Sequence, residues 1–236
     1  MYWQIREKIL APLFLAALTA LPAMPAAGAT DAIDQVPVNQ LPASPLSADQ
    51  LAAQGEYEQA LLAYETALSA ATDAESPSLR FQYGKLLMHI GLGARPEMLP
   101  LARQQFARML ADEQDDKILR GRALSALAHS YHQQALQLST ESVEFRQLTR
   151  RANGLYLDAR EELISGSDWH NLSITCYNLG QLAEWRGDLS AAVDFLEQAV
   201  ALDREHGFTD LAEDLAYLND LKSQLQTEIR SSTTAL

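Results

Sequence analysis

The chain has 236 residues, with 18 Lys and Arg against 31 Asp and Glu, a formal net charge of −13. That balance argues against a nucleic-acid binder, which needs a basic face to displace counterions. One cysteine excludes an intramolecular disulfide framework and a cysteine-based zinc cluster, and eleven Gly with nine Pro are few for a sheet-rich chain, so the composition leans helical.

Residues 1–29 read as an address. Arg6 and Lys8 flank Glu7 in a short positive region, and Ile9–Leu21 is apolar without a charge. Pro22 and Pro25 break that run, and Ala27-Gly28-Ala29 supplies the small-x-small pattern of a signal-peptidase site. The expectation is a secretory signal peptide cleaved after Ala29, with an uncleaved inner-membrane anchor as the alternative. The apolar run is shorter than the roughly 20 residues that a transmembrane helix needs. No cysteine stands at the end of the run, so a lipoprotein has no thiol there to acylate. The leader carries a net +1, which leaves −14 on the remaining chain. Residues 30–46 hold three prolines and no helical period, and are expected to form an extended tether.

From Ser47 onward apolar residues recur three and four apart, and no run alternates long enough for a strand. An all-α chain follows, and Gly91-Leu92-Gly93 reads as a helix end rather than a phosphate loop. Within this pattern a spacing repeats. Cys176, Leu179, Gly180 and Ala183 precede Gly187-Asp188, which precedes Ala192, Leu196 and Ala199. Small residues stand where two helices must approach closely, and large ones fill the gaps beside them. Gly55, Ala60, Tyr64 and Ala67 repeat the second half at the same spacing. Tyr83-Gly84, Leu87 and Gly91 pair with Ala102 and Phe106, and Leu127-Ala128 and Tyr131 pair with Ala152, Tyr156 and Ala159.

These residues resemble the tetratricopeptide repeat, a helix–turn–helix unit. The resemblance implies a solenoid of about four irregular repeats over residues 47–206. The clearest copy departs from the family pattern in Cys176 where Trp is usual, Ala183 where Tyr is usual and Arg204 in place of the closing Pro. Six extra residues separate the two helices of the second copy, and about twelve those of the third. Residues 207–230 carry a stripe of Leu211, Leu215, Leu218, Leu221, Leu225 and Ile229, expected as a C-terminal capping helix. Docking of that stripe on a partner helix is the alternative, and 231–236 are expected to be a disordered tail.

The resemblance also implies that the first helix of each pair lines a concave protein-binding face. Helical phase puts Phe81, Lys85, Met88 and His89 there from one helix. Arg122, Ser125, His129, His132 and Gln133 come from the next, and Tyr177, Gln181, Glu184 and Trp185 from the last. The other reading of Phe81, Met88 and Trp185 is packing between helices. The family's chaperone-tail clamp is not carried over, because Lys85 and Arg122 lack matching Asn residues. His129 and His132 share a helix face and would suit two ligands of a metal if a third came from elsewhere. Cys176 reads as a buried filler. Asp112, Glu113, Asp115 and Asp116 read as a solvated turn, as does the segment holding Glu141 and Glu144. The expected function is a non-enzymatic scaffold or assembly factor of the bacterial periplasm, with a protein partner and no cofactor or metal. The alternatives are a structural subunit of an envelope or secretion complex joined through its terminal helix, and a metal-binding protein or enzyme using His129 and His132.

Overall fold

A computed structural model describes residues 47–234, apart from 94, 113 and 114. The expected signal peptide and tether, and the last two residues of the tail, lie outside the described residues. Nine α-helices and no strand occur among the described residues: α1 (Ala48–Ala53), α2 (Tyr57–Ala70), α3 (Ser76–Leu92), α4 (Met98–Ala111), α5 (Lys117–Ala135), α6 (Val143–Gly166), α7 (Trp169–Trp185), α8 (Leu189–His206) and α9 (Leu211–Thr234). The chain divides into two compact units, one ending at Thr66 and one beginning at Ala67.

In the first unit α1 is short and survives through its caps. The Ser47 Oγ accepts the Gln50 amide at 3.2 Å, and Gln50 Oε1 accepts the Ser47 amide at 2.8 Å. This reciprocal pair satisfies two amides that a helix start leaves open. Gly55, at φ +79°, makes the turn into α2, and the Tyr64 hydroxyl donates to Asp49 across it.

In the second unit α3–α4, α5–α6 and α7–α8 pack as hairpin pairs. Successive pairs join through α4–α5, α6–α7 and α8–α9, and first helices touch directly, α3 with α5 and α5 with α7. The fold is a stack of consecutive helix pairs. Close approach within each pair rests on the small residues of the sequence pattern. A Cβ on Gly180 would lie 1.8 Å from Leu196 Cδ2 and 3.2 Å from the Ala192 carbonyl oxygen. One on Gly84 would lie 2.6 Å from the Phe106 ring. In the α5–α6 pair Ala128, Ala152 and Ala159 are fully buried.

The extra residues of the third pair are absorbed mostly as helix. Relative to α7–α8, two of the twelve extend α5, four lengthen the turn and six extend α6 at its start. Glu144, expected in a solvated loop, therefore sits in the first turn of α6, where a carboxylate suits the helix dipole. Ser142 caps that helix, accepting the Phe145 amide at 3.0 Å. Asp116, from the acidic turn, caps α5 through the Leu119 amide at 2.9 Å.

Helix α9 covers the apolar face of α8. Leu218 and Leu221 are buried against Val193, Leu196 and Val200, with Leu211, Leu215 and Leu225 around them, while Ile229 is 57% exposed. Burying each such leucine contributes about 1.5–3 kcal/mol. The helix runs to Thr234, into the residues expected as a tail. Within these last turns the Thr227 and Ser231 hydroxyls donate to the carbonyls of Ser223 and Thr227, both at 2.9 Å.

Two glycines test the close-approach account. Gly180→Ala gains helix propensity but forces a methyl into Leu196, and should lower stability by about 1–3 kcal/mol. Gly154→Ala lies in α6 with nothing within 4 Å of the added carbon and should gain about 0.5–1 kcal/mol. Urea denaturation of both variants checks the pair, and equal effects would contradict it.

Candidate functional site

The candidate face is built by α3, α5 and α7, whose phase is set by Gly84, Ala128 and Gly180 turning inward toward their partner helices. The structure divides the expected residues into two groups. Phe81, Met88, His129 and His132 are buried, Met88 and His132 to 1% exposure. Lys85, His89, Arg122, Tyr177, Gln181, Glu184 and Trp185 are half-buried.

Phe81 and Met88 thus follow the packing alternative, with the Phe81 ring 6.0 Å from Phe106 and Lys85 Nζ 5.6 Å from the Phe81 centroid. His129 and His132 do not line an open face as expected. The tight α5–α6 contact draws them under α6, where Tyr156 Oη lies 3.4 Å from His129 Nδ1 and 3.5 Å from His132 Nδ1. The edge of His132 meets Tyr156 at 6.2 Å and Trp185 at 6.1 Å between centroids. Trp185, itself half-buried, therefore ties α7 to the interior cluster. Burial lowers the His129 pKa from 6.5 to about 4, so its imidazole is neutral at pH 7. Among the described residues no three His, Cys, Asp or Glu side chains converge in a way that suits a metal ion.

Arg122 is committed elsewhere. Its Nε lies 2.7 Å from Asp168 Oδ2, and Asn171 Nδ2 donates to both oxygens of the same carboxylate at 3.0 and 2.9 Å. This join ties α5 to the start of α7, and Ser125 Oγ adds a contact of 3.0 Å to Thr175 Oγ1. At the far end of the face, α9 overlays part of α7. The Tyr217 hydroxyl donates to Glu184, its ring lies 5.5 Å from Tyr177, and Gln181 Nε2 donates to Tyr177 Oη at 3.2 Å. Burial, with Asp214 and Glu213 nearby, pushes the Tyr177 phenol up to about 12. On this face Lys85 and His89 of α3, Gln133 of α5, and Gln181 and Trp185 of α7 are half-buried.

Behind Tyr177 lies a buried pair of carboxyls that the sequence pattern did not announce. Asp203 of α8 is fully buried and accepts from the Ser173 hydroxyl. Asp214 of α9 is 6% exposed beside it. Burial first, then the charge and hydrogen bond of Asp203, raise the Asp214 carboxyl to about 8. Cys176 in the same layer is a buried filler, its thiol pushed up to about 11 by burial. The Leu stripe of α9 hid Asp214 and Tyr217 from a pattern reading, because a polar residue beside such a stripe ordinarily faces water.

No model of a known protein family matches the chain, and no curated protein is similar to it in sequence.

Two of these shifted groups, His129 and Asp214, act oppositely on stability. His129 has a depressed folded pKa, so its contribution is complete above about 6.5 and lost as the pH falls toward about 4. Asp214 has a raised one, so its contribution is complete below about 3.8 and lost as the pH rises through about 8. Asp214→Asn removes only the second slope. The stability of that variant relative to wild type should rise between about pH 4 and about pH 8 and then level off. Urea midpoints across that range check it, and a difference independent of pH would contradict the assignment.

Proposed function

We propose that the protein is an exported, non-enzymatic scaffold of the bacterial periplasm that grips a segment of a partner protein on the face of its first helices. The leader-like residues 1–29 support export. The stack of helix pairs, together with the repeat spacing, supports kinship with tetratricopeptide-type scaffolds. The observation that carries the reading is the mixture on that face, where Lys85 and His89 of α3 and Gln181 and Trp185 of α7 are half-buried, while Phe81, Met88, His129 and His132 of α3 and α5 are buried. Rigid, partly exposed aromatic and long polar groups of this kind are what anchors in protein interfaces are made of.

A structural-subunit reading draws on one feature. Ile229 continues the apolar stripe of α9 into solvent, and would give a larger complex a place to join.

Trp185→Ala should weaken capture of the partner from envelope extract by about tenfold or more, with helical content by circular dichroism retained. Capture equal to wild type would remove Trp185 from the site. Deleting residues 209–236 separates the two readings: retained capture by a monomeric truncated protein supports the first-helix face, whereas loss of assembly with a folded core supports the terminal helix.

A further inference from the structure

The charge of this chain is unevenly spread. Three stretches, the second of which packs against each of the others, contain no carboxylate: residues 98–111, which are α4; 117–140, which are α5 and the first part of the turn after it; and 145–157, within α6. Together they carry Arg103, Arg108, Lys117, Arg120, Arg122, Arg146, Arg150 and Arg151. A layer with eight cations and no acid is unexpected in a chain of net charge −13.

At one end of this layer the charge is neutralised from outside. Arg120 pairs with Glu162 at 3.0 Å, and Arg122 with Asp168 at 2.7 Å. At the other end it is not. The guanidinium carbon of Arg103, from α4, lies 4.7 Å from the centre of the Tyr131 ring of α5, and that of Arg151, from α6, lies 4.4 Å from it. The two carbons are therefore no more than about 9 Å apart. Arg103 is positioned further by hydrogen bonds to Gln134 Oε1 at 2.7 Å and to the Leu99 carbonyl at 3.3 Å. Among the described residues neither arginine forms an ion pair, and both Arg151 and its neighbour Arg150 are exposed.

Cation–π contact orients a guanidinium but does not neutralise it. Two like charges held over one ring repel, and a carboxylate placed between or beside them would relieve that repulsion through charge-assisted hydrogen bonds. Because Tyr131 and Gln134 already hold the side chains, little rotamer freedom remains to be lost when a ligand arrives. A long polyanion such as nucleic acid would also meet the acidic remainder of the chain, whereas a short acidic stretch of polypeptide need meet only the patch.

We propose that Arg103 and Arg151, held over Tyr131, form with the exposed Arg150 a docking site for a carboxylate-rich segment of a partner protein. Arg103 and Arg151 stand on second helices of their pairs, so this surface is separate from the first-helix face and does not rest on the function proposed for it.

The probe is a fluorescein-labelled hexaglutamate peptide, titrated with the purified protein and followed by anisotropy. Saturable binding is expected, weakening as salt rises from about 50 to about 200 mM. Arg103→Gln combined with Arg151→Gln should reduce affinity at least about tenfold with helical content unchanged. Should that variant unfold, Arg150→Gln with Arg151→Gln decides, since it spares the Arg103 hydrogen bonds that join α4 to α5. Absence of saturable binding, equal binding by the folded variants, or tighter binding of a short oligothymidylate than of hexaglutamate at equal ionic strength would each overturn the proposal.

Discussion

The architecture depends on how closely the two helices of a pair can approach. At Gly180 there is no room for a single further carbon, because Leu196 occupies the space where it would go. Gly84 stands in the same relation to Phe106, and Gly121 to Leu163, whose Cγ would lie 2.8 Å from an added Cβ. Interiors are packed near crystal density, so each such contact sets the rotation of both helices about their axes. Once that rotation is set, the residues left facing outward are no longer free to vary in direction. The face of α3, α5 and α7 is a by-product of the contact on the opposite side of each helix.

The same contact explains where polar groups went. The α5–α6 pair is the longest, and α6 extends over the positions that would otherwise be open on α5. His129 and His132 are covered by it, and Tyr156 reaches back to place its hydroxyl near both rings. A similar event at the end of the stack puts Asp203 and Asp214 together where α9 lies on α8. Buried polar groups of this kind are costly when unmet and restrictive when met. Both sets join elements that adjoin the candidate face, so packing of α6 and α9 is linked to the state of Trp185 and Tyr177.

Much of this was legible in the sequence, for a physical reason. Helix pairs held by small residues leave a spacing signal, and Ala60, Ala102, Ala152 and Ala192, all fully buried, carried it. The Leu stripe of α9 was legible for the same reason, since Leu218 and Leu221 are buried where the period puts them. Side-chain depth was less legible. Phase assigned His129 and Lys85 to equivalent positions on successive first helices, yet α6 covers one and α4 leaves the other half-open. Insertions were read as loops because loops accept added length readily, whereas here six residues were added to α6 without breaking its apolar period. The arginine and tyrosine cluster left no linear trace at all, because its members come from three helices and meet only after folding.

The lone cysteine bears on how the protein behaves wherever surroundings are oxidising. Cys176 is 1% exposed and its thiol is held in the protonated form by burial. Oxidation and disulfide exchange need the thiolate and access to it, and the folded chain offers neither. Two molecules can become cross-linked through this sulfur only after α7 has separated from its neighbours. A covalent dimer of this chain would thus be a record of past opening at the α7–α8 hairpin rather than a state of the native protein.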